Sequence, residues 1–265
     1  MINLIPFVKR KPMVAVIRLQ GMIAASSSPG RLNDASLAPL IEAAFQRGKP
    51  KAVALVINSP GGSPVQSALI AARIRRLAEK HKVPVHAFVE DVAASGGYWL
   101  ATAGDEIHAD ANSILGSIGV ISAGFGLQDF IARYGVERRV YTSGESKSQL
   151  DPFRPENPED VARLRGLMDQ IHGNFIEQVK ARRGARLNGE NLFTGEFWVG
   201  TRAVELGLAD AIGHLVPVMQ ERFGDKVRFR QYGLRRPFLS RLGLGLAHEA
   251  VALAEERALY ARFGI

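Results

Sequence analysis

The apolar positions along the chain fall into two alternating kinds of run. Residues 14–19 (Val-Ala-Val-Ile-Arg-Leu) and 52–57 (Ala-Val-Ala-Leu-Val-Ile) are nearly unbroken apolar stretches rich in β-branched side chains. That is the pattern of strands covered on both faces of a parallel sheet. Between them, residues 35–47 place Leu37, Leu40, Ile41, Ala44 and Phe45 at helical spacing, with Asn33 or Asp34 available as a cap. After the second strand, Ser63 and Pro64 supply the cap and the favoured first position of a helix running to Lys80, with Val65, Leu69, Ala72 and Leu77 on one stripe. Further strands are predicted over 83–89, 106–109 and 138–142. Further helices are predicted over 95–103, 159–183 and 201–206, the last stopped by Gly207 at a left-handed cap position. The long helix 159–183 carries Val161, Leu164, Leu167, Met168, Ile171, Phe175 and Val179 on its apolar face, and residues 243–265 read as a terminal amphipathic helix with Leu244, Leu246, Val251, Leu253, Leu259 and Phe263. Strand and helix in alternation predict a layered α/β domain with right-handed crossovers, its ligands gathered at the carboxyl ends of the strands.

Composition narrows the chemistry. The 265 residues are 46% hydrophobic, enough for a substantial core. The absence of cysteine excludes disulfides, zinc–thiolate sites, iron–sulfur clusters and thiol nucleophiles together. The longest uncharged stretch, 111–128, holds four glycines with Asn112, Ser113, Ser117 and Ser122 and is too polar to cross a bilayer; the short apolar run 13–17 after Lys9, Arg10 and Lys11 is no signal-peptide core. The chain is therefore expected neither to span a membrane nor to carry a leader. The net charge of +8 is concentrated between Arg222 and Arg241, where seven basic residues face Asp225 alone. That excess suits an anionic membrane face or nucleic acid, although a solvated surface is the simpler reading. The interleaved Phe223, Phe229, Tyr232 and Phe238 match no nucleic-acid module, so no specific nucleic acid is expected.

Two glycine-bearing turns follow apolar strands: Asn58-Ser-Pro-Gly-Gly62 and Ala93-Ala-Ser-Gly-Gly97. Each puts unhindered backbone N–H groups at a strand's carboxyl end, as an oxyanion hole requires, and each is equally readable as a tight strand-to-helix connection. Neither is a dinucleotide fingerprint or a phosphate loop. Ser95 sits where a strand-to-helix turn pushes a hydroxyl outward, although Ala93 stands where the hydrolase Gly-x-Ser-x-Gly pattern has its first glycine. A serine hydroxyl needs a base. None of His81, His86, His108, His172, His214 and His248 has an acidic partner at a suggestive spacing, so a Ser-His-Asp triad is unsupported. Lys147, in the loop Ser143-Gly-Glu-Ser-Lys-Ser148, remains, and taken alone it reads as a solvated charge.

Taken together these segments resemble the SppA family, bacterial signal peptide peptidase A or protease IV. The matching stretches are Asn58-Ser-Pro-Gly-Gly62, Ala94-Ser-Gly-Gly-Tyr98, Gly116-Ser-Ile-Gly-Val-Ile121, Ser143-Gly-Glu-Ser-Lys-Ser148 with Pro152-Phe-Arg-Pro155, and Gly207-Leu-Ala-Asp210, in the family's order across residues 12–215. The resemblance implies an α/β fold of the ClpP/crotonase-like layered β-α-β superhelix type, with a parallel sheet and a C-terminal helical extension. It implies a serine endopeptidase in which Ser95 is the nucleophile, Lys147 the general base and the N–H groups of Gly62 and Gly96 the oxyanion hole. Ser117 would orient the lysine, and an extended polypeptide substrate would pair near Gly61, Val120 and Ile121. No cofactor or metal is implied.

A lysine carries its proton at neutral pH, so a lysine base must be sheltered from water. Short members of the family build each site from neighbouring chains. The resemblance thus implies a homo-oligomer, an octamer with Lys147 reaching a neighbour's Ser95. The expected organisation is a basic segment 1–11, a peptidase domain 12–220, and a basic linker with an amphipathic helix 221–265. The expected location is the cytoplasm, with peripheral contact at the inner face of the membrane. The terminal segment reads equally as a membrane contact and as a subunit contact. Against the family pattern, neither the anchoring segment nor the duplicated second domain is expected here, and the stretch Phe193-Thr-Gly-Glu-Phe-Trp-Val-Gly200 is longer than the family's short Thr-Gly turn. Rival readings are a crotonase-like acyl-CoA enzyme and a catalytically silent assembly or membrane scaffold.

Overall fold

The computed structural model of the chain describes residues 11–26, 30–144, 146–234, 257–258 and 260–264. Its centre is a mostly parallel sheet. β1 (Met13–Gln20), β2 (Ala52–Ser59) and β3 (Val85–Ala94) lie side by side, with Ile17 opposite Leu55 and Leu55 opposite Ala87. β5 (Ile114–Gly116) continues the sheet beyond β3, and β6 (Phe197–Val199) closes that edge antiparallel. β4 (Glu106–Ala109) also pairs with β3 and carries β7 (Ala211–Ile212). At the other edge, β8 (Arg228–Tyr232) adds parallel to β1.

Alternate residues of the strands feed two apolar layers, as the period-two geometry of a strand demands. Ile17, Leu19, Leu55 and Ile57 face α1 (Asp34–Gln46) and α2 (Pro64–His81), whereas Val14, Val16, Ala54, Val56 and Phe88 face Met219 of α7 (Leu215–Phe223). All eight residues of β2 are buried, which is why its sequence shows no polar alternation. The predicted caps hold. The Asn33 side chain accepts from Ser36 N–H, and Ser63 accepts from Gln66 N–H with Pro64 opening the helix.

Several expectations need correction. β3 runs on to Ala94 because Glu90 and Asp91 fall in a bulge opposite Ile57–Ser59, their side chains reaching Arg18 and Asn58. The expected boundary at residue 220 falls inside a helix. α7 continues to Phe223 and β8 belongs to the main sheet, so part of the supposed basic linker is an edge strand that turns Arg228 and Arg230 outward. No strand forms over 138–142. In one chain that segment has no neighbouring strand to satisfy its backbone groups, and Arg138 turns back to Asp151. Of the predicted terminal helix, residues 243–256 and Leu259 lie outside the described residues.

The long helix α5 (Pro158–Arg183) is anchored at one end only. Phe175 and Val179 are buried, with Trp99 stacked on Phe175 at 5.0 Å, while Leu167 and Ile171 of the same stripe are exposed. Among the described residues from 119 to 174, none is buried. The core thus ends near Ile118 and resumes at Phe175, and the intervening lobe projects from it.

The anchored end is fixed by Arg183, whose side chain is 1% exposed. Its guanidinium donates to the Gly207 carbonyl at 2.9 and 2.7 Å and to Asp210 at 2.7 and 3.1 Å. Burial alone would raise the Asp210 carboxyl, but the bonds from Arg183 and from the Ile107 N–H outweigh it and hold the group below its ordinary value of 3.8. A carboxyl lowered by folding contributes stability above its ordinary range, and that contribution is lost as pH falls through the folded value. Arg183→Leu is therefore expected to cost about 2–4 kcal/mol at neutral pH, because it removes the main partner of a half-buried carboxylate, leaving it the Ile107 N–H and the more distant Arg186. Urea unfolding should show this gap narrowing in acid, where Asp210 is protonated; a neutral-pH loss under about 1 kcal/mol would contradict the assignment.

Candidate active site

Ser95 stands at the carboxyl end of β3, where the strand gives way to α3 (Gly96–Ala101). Its backbone has φ 52° and ψ −122°, a left-hand-side conformation that side-chain-bearing residues rarely adopt. Two bonds hold it there: Ser95 N–H donates to the Gly116 carbonyl of β5 at 2.8 Å, and the Ser95 carbonyl accepts from Trp99 N–H at 3.0 Å. α3 in turn is pinned from below. The fully buried Tyr98 hydroxyl donates to the Leu208 carbonyl at 2.9 Å, and burial pushes its ionisation well above the ordinary phenol range. Arg182 bonds the Thr102 carbonyl at 2.8 Å.

Beside Ser95 the two glycine turns interlock. A Cβ on Gly96 would lie 2.4 Å from Ser67 Oγ and 3.4 Å from Gly62 N; one on Gly62, at φ 137°, would strike the Ile23 carbonyl at 1.9 Å. A Cβ on Gly61 would lie 2.8 Å from the Ala94 carbonyl and 2.9 Å from Gly96 N, so the two turns approach this closely only because Gly61 has no side chain. Among the described residues, neither the Gly62 nor the Gly96 N–H donates a hydrogen bond. Gly96 is the first residue of a helix, where an amide lacks an intrahelical acceptor, and Gly62 is exposed. A half-buried serine on a positive-φ turn, with the Gly62 and Gly96 amides lacking acceptors nearby, is the kind of arrangement in which a hydroxyl can attack a carbonyl and backbone donors can hold the resulting oxyanion.

The other predicted residues are placed unevenly. Gly61 is buried, with its N–H on Ser59 Oγ at 3.3 Å and its carbonyl on the Ile23 N–H at 2.8 Å, so it is Gly62 rather than Gly61 that presents free backbone. Ser117, at φ 52°, follows Gly116 directly and is tied by its N–H to the Glu196 carbonyl at 2.6 Å. Val120 is half-buried and Ile121 is 65% exposed at the start of the lobe. Lys147 is exposed in that lobe, and no hydrogen bond joins it to Ser95 among the described residues. One chain therefore assembles the hydroxyl and the amides and leaves the amine unsheltered.

Sequence spacing alone misses several contacts around the site. The stretch 193–200 that is longer than expected forms β6, and its Glu196 carbonyl and Trp198 ring brace Gly116 and Ser117. His172 of α5 bonds the Ile118 carbonyl at 3.0 Å. Tyr260 donates to the Asn58 carbonyl at 3.0 Å, and Phe263 meets Phe197 edge-on at 5.1 Å. Asn58 and Phe197 lie on either side of the ends of β3 and β5, so residues 260–263 touch both flanks of the Ser95 turn. Phe263, expected on the apolar face of a terminal helix, packs on its own chain. Three histidines among the described residues do have acidic neighbours that spacing did not suggest, His86 and His108 with Glu106 and His214 with Asp110, but all lie apart from the Ser95 turn, at the amino end of β3, on β4 and before α7.

The model of peptidase family S49 matches residues 77–223. The chain is 47% identical, over 95% of its length, to a Brucella melitensis protein named Na(+)/H(+) antiporter NhaA, and covers 37% of that protein. It is 32% identical, over 62% of its length, to a putative signal peptide peptidase SppA of Enterococcus faecium, covering 48% of it. The chain thus spans between about a third and a half of these relatives. Among solved structures it is similar in fold to a lysine-to-alanine mutant of the 1510-N membrane-bound stomatin-specific protease in complex with a substrate peptide. There the TM-score is 0.51 at 15% identity, covering 88% of this chain and 96% of that one. The resemblance carried by the five motifs is borne out: the chain belongs to peptidase family S49.

Proposed function

We propose that the chain is a serine endopeptidase in which Ser95 and Lys147 form the catalytic dyad. The observation that carries this reading is the Ser95 turn itself, a half-buried serine at positive φ at a strand's carboxyl end, followed directly by Gly96, whose amide, like that of Gly62, donates no hydrogen bond among the described residues. In the proposed cycle the neutral Lys147 amine takes the Ser95 hydroxyl proton, and Oγ bonds to the scissile carbonyl carbon. The Gly62 and Gly96 amides hold the oxyanion. The lysine then returns the proton to the leaving amine as the C–N bond breaks. Water, deprotonated by the same amine, cleaves the acyl-enzyme and regenerates the serine. Ser117 would orient the lysine, and the polypeptide substrate would lie extended between Gly62 and Val120-Ile121.

The base would come from a neighbouring copy. In support, Lys147 is exposed and none of the described residues of the lobe bearing it is buried, while Ile121, Phe125 and Tyr141 are 65%, 85% and 91% exposed. The unpaired apolar stripe of α5 runs along the same lobe. A homo-oligomeric ring in which lobes pack on one another would bury this surface and shelter the amine, an octamer being the size the resemblance implies.

Digestion of casein or a model peptide tests the dyad. Ser95→Ala should fall to background and Lys147→Ala by about 10²–10⁴-fold, with Lys147→Arg giving no rescue, because a guanidinium cannot give up its proton. Full activity in any of the three would refute the roles. Sharing between subunits makes a separate prediction. Ser95→Ala and Lys147→Ala chains, inactive alone, should recover up to about a quarter of wild-type activity when dissociated and reassembled in equal amounts, since that fraction of mixed interfaces pairs an intact serine with an intact lysine. No recovery in mixed assemblies would place the dyad within one chain.

A further inference from the structure

At the amino end of the sheet, remote from the Ser95 turn along β3, three potential metal ligands share one surface under α7. His86 lies opposite Glu106 in the β3–β4 register, and His108 follows Glu106 by two residues, so all three side chains leave the same face. His86 and His108 are 3% and 5% exposed. His108 Nε2 lies 3.2 Å and His86 Nδ1 3.6 Å from the same carboxylate oxygen, Glu106 Oε2, and the three ligand atoms all fall within 4.8 Å of one another. Bonds of about 2.0–2.1 Å in tetrahedral geometry separate neighbouring ligand atoms by about 3.3–3.4 Å. The two observed separations straddle that value.

His86 Nδ1 supplies an independent observation. It is buried, and 3.6 Å is beyond hydrogen-bond range, so among the described residues it has no hydrogen-bond partner. A desolvated ring nitrogen aimed at a carboxylate without bonding it calls for an explanation. Burial, with help from the Arg222 charge, also favours the neutral imidazole, whose lone pair is what a metal takes. The carboxylate already holds a cation. Arg222, in the last turn of α7, bonds Glu106 Oε2 and keeps it ionised against its burial. The Arg222 side chain is 38% exposed, so it can swing into solvent.

We propose that His86 Nδ1, Glu106 Oε2 and His108 Nε2 form a site for a divalent transition metal of the zinc class, with Arg222 as its built-in competitor. Two imidazoles and one carboxylate are the nitrogen–oxygen set that zinc and its neighbours prefer, and water would complete the shell. The ion would tie β4 to β3 at the end of the sheet opposite the Ser95 turn, so its effect would be on stability rather than on bond cleavage.

Isothermal titration of Zn²⁺ into the full-length, chelator-stripped protein tests the site, with the visible spectrum of bound Co²⁺ as a second readout. Wild type should bind one ion per chain with a tetrahedral Co²⁺ spectrum. His108→Gln and His86→Gln should each weaken binding by about a hundredfold, and Arg222→Met should tighten it by about tenfold. Arg222→Met removes only a partly exposed side chain, so it decides the matter even if the histidine variants fail to fold. Absence of stoichiometric binding in both wild type and Arg222→Met, or affinity unchanged or weakened by Arg222→Met, would overturn the proposal.

Discussion

The structure around the candidate site follows from one constrained residue. Ser95 carries a side chain at φ 52°, a conformation that costs on the order of 1–3 kcal/mol, and persists only because its surroundings over-determine it. The Gly116 carbonyl takes its N–H, the first turn of α3 takes its carbonyl, and α3 is fastened by Tyr98 and by Arg182 of α5. The turn sets Ser95 at the entry to the helix, directly before the amide of Gly96. For the second amide to arrive, the two turns must nearly touch, and Gly61 permits this because it lacks the side chain that would meet the Ala94 carbonyl and Gly96 N, while Gly62 fits only because it has no side chain to strike the Ile23 carbonyl.

The lobe that carries Lys147 differs from the rest of the chain in what it buries. The core, two apolar layers around the sheet, closes on itself from β1 to Ile118 and from Phe175 to β8. The lobe between obtains almost nothing from that core and exposes large aromatic residues that a stable surface would normally cover. The hydroxyl and the amides belong to the core. The amine belongs to the lobe. Under the proposed function, a dyad divided in this way would link activity to whatever covers the lobe, with a second copy of the chain as the partner that reading calls for.

Much of the fold was legible in sequence because its signals are local. Unbroken β-branched runs marked β1 and β2, Asn33 and Ser63 marked the helix starts, and paired glycines after apolar strands marked the turns that hold Gly62, Ser95 and Gly96. What escaped depends on partners distant in the chain. β8 reads as a basic run because an edge strand shows Arg228 and Arg230 to solvent, and only its pairing with β1 makes it a strand. Residues 138–142 have the composition of a strand and lack a neighbour to pair with. The stripe of α5 is apolar along its whole length, yet only its last two turns meet the core. His86, Glu106 and Arg222 converge across 136 positions of sequence, from three elements whose adjacency no local pattern encodes.

The most direct test of the central claim, that the Ser95 turn holds an activated nucleophile, is covalent labelling with a serine-directed phosphonate followed by peptide mapping. The account predicts one adduct per chain, on Ser95, formed by the assembled wild type, much slower in Lys147→Ala and absent in Ser95→Ala. Stoichiometric labelling of another residue, or a Ser95 that stays unmodified in an assembled protein that cleaves peptides, would contradict it.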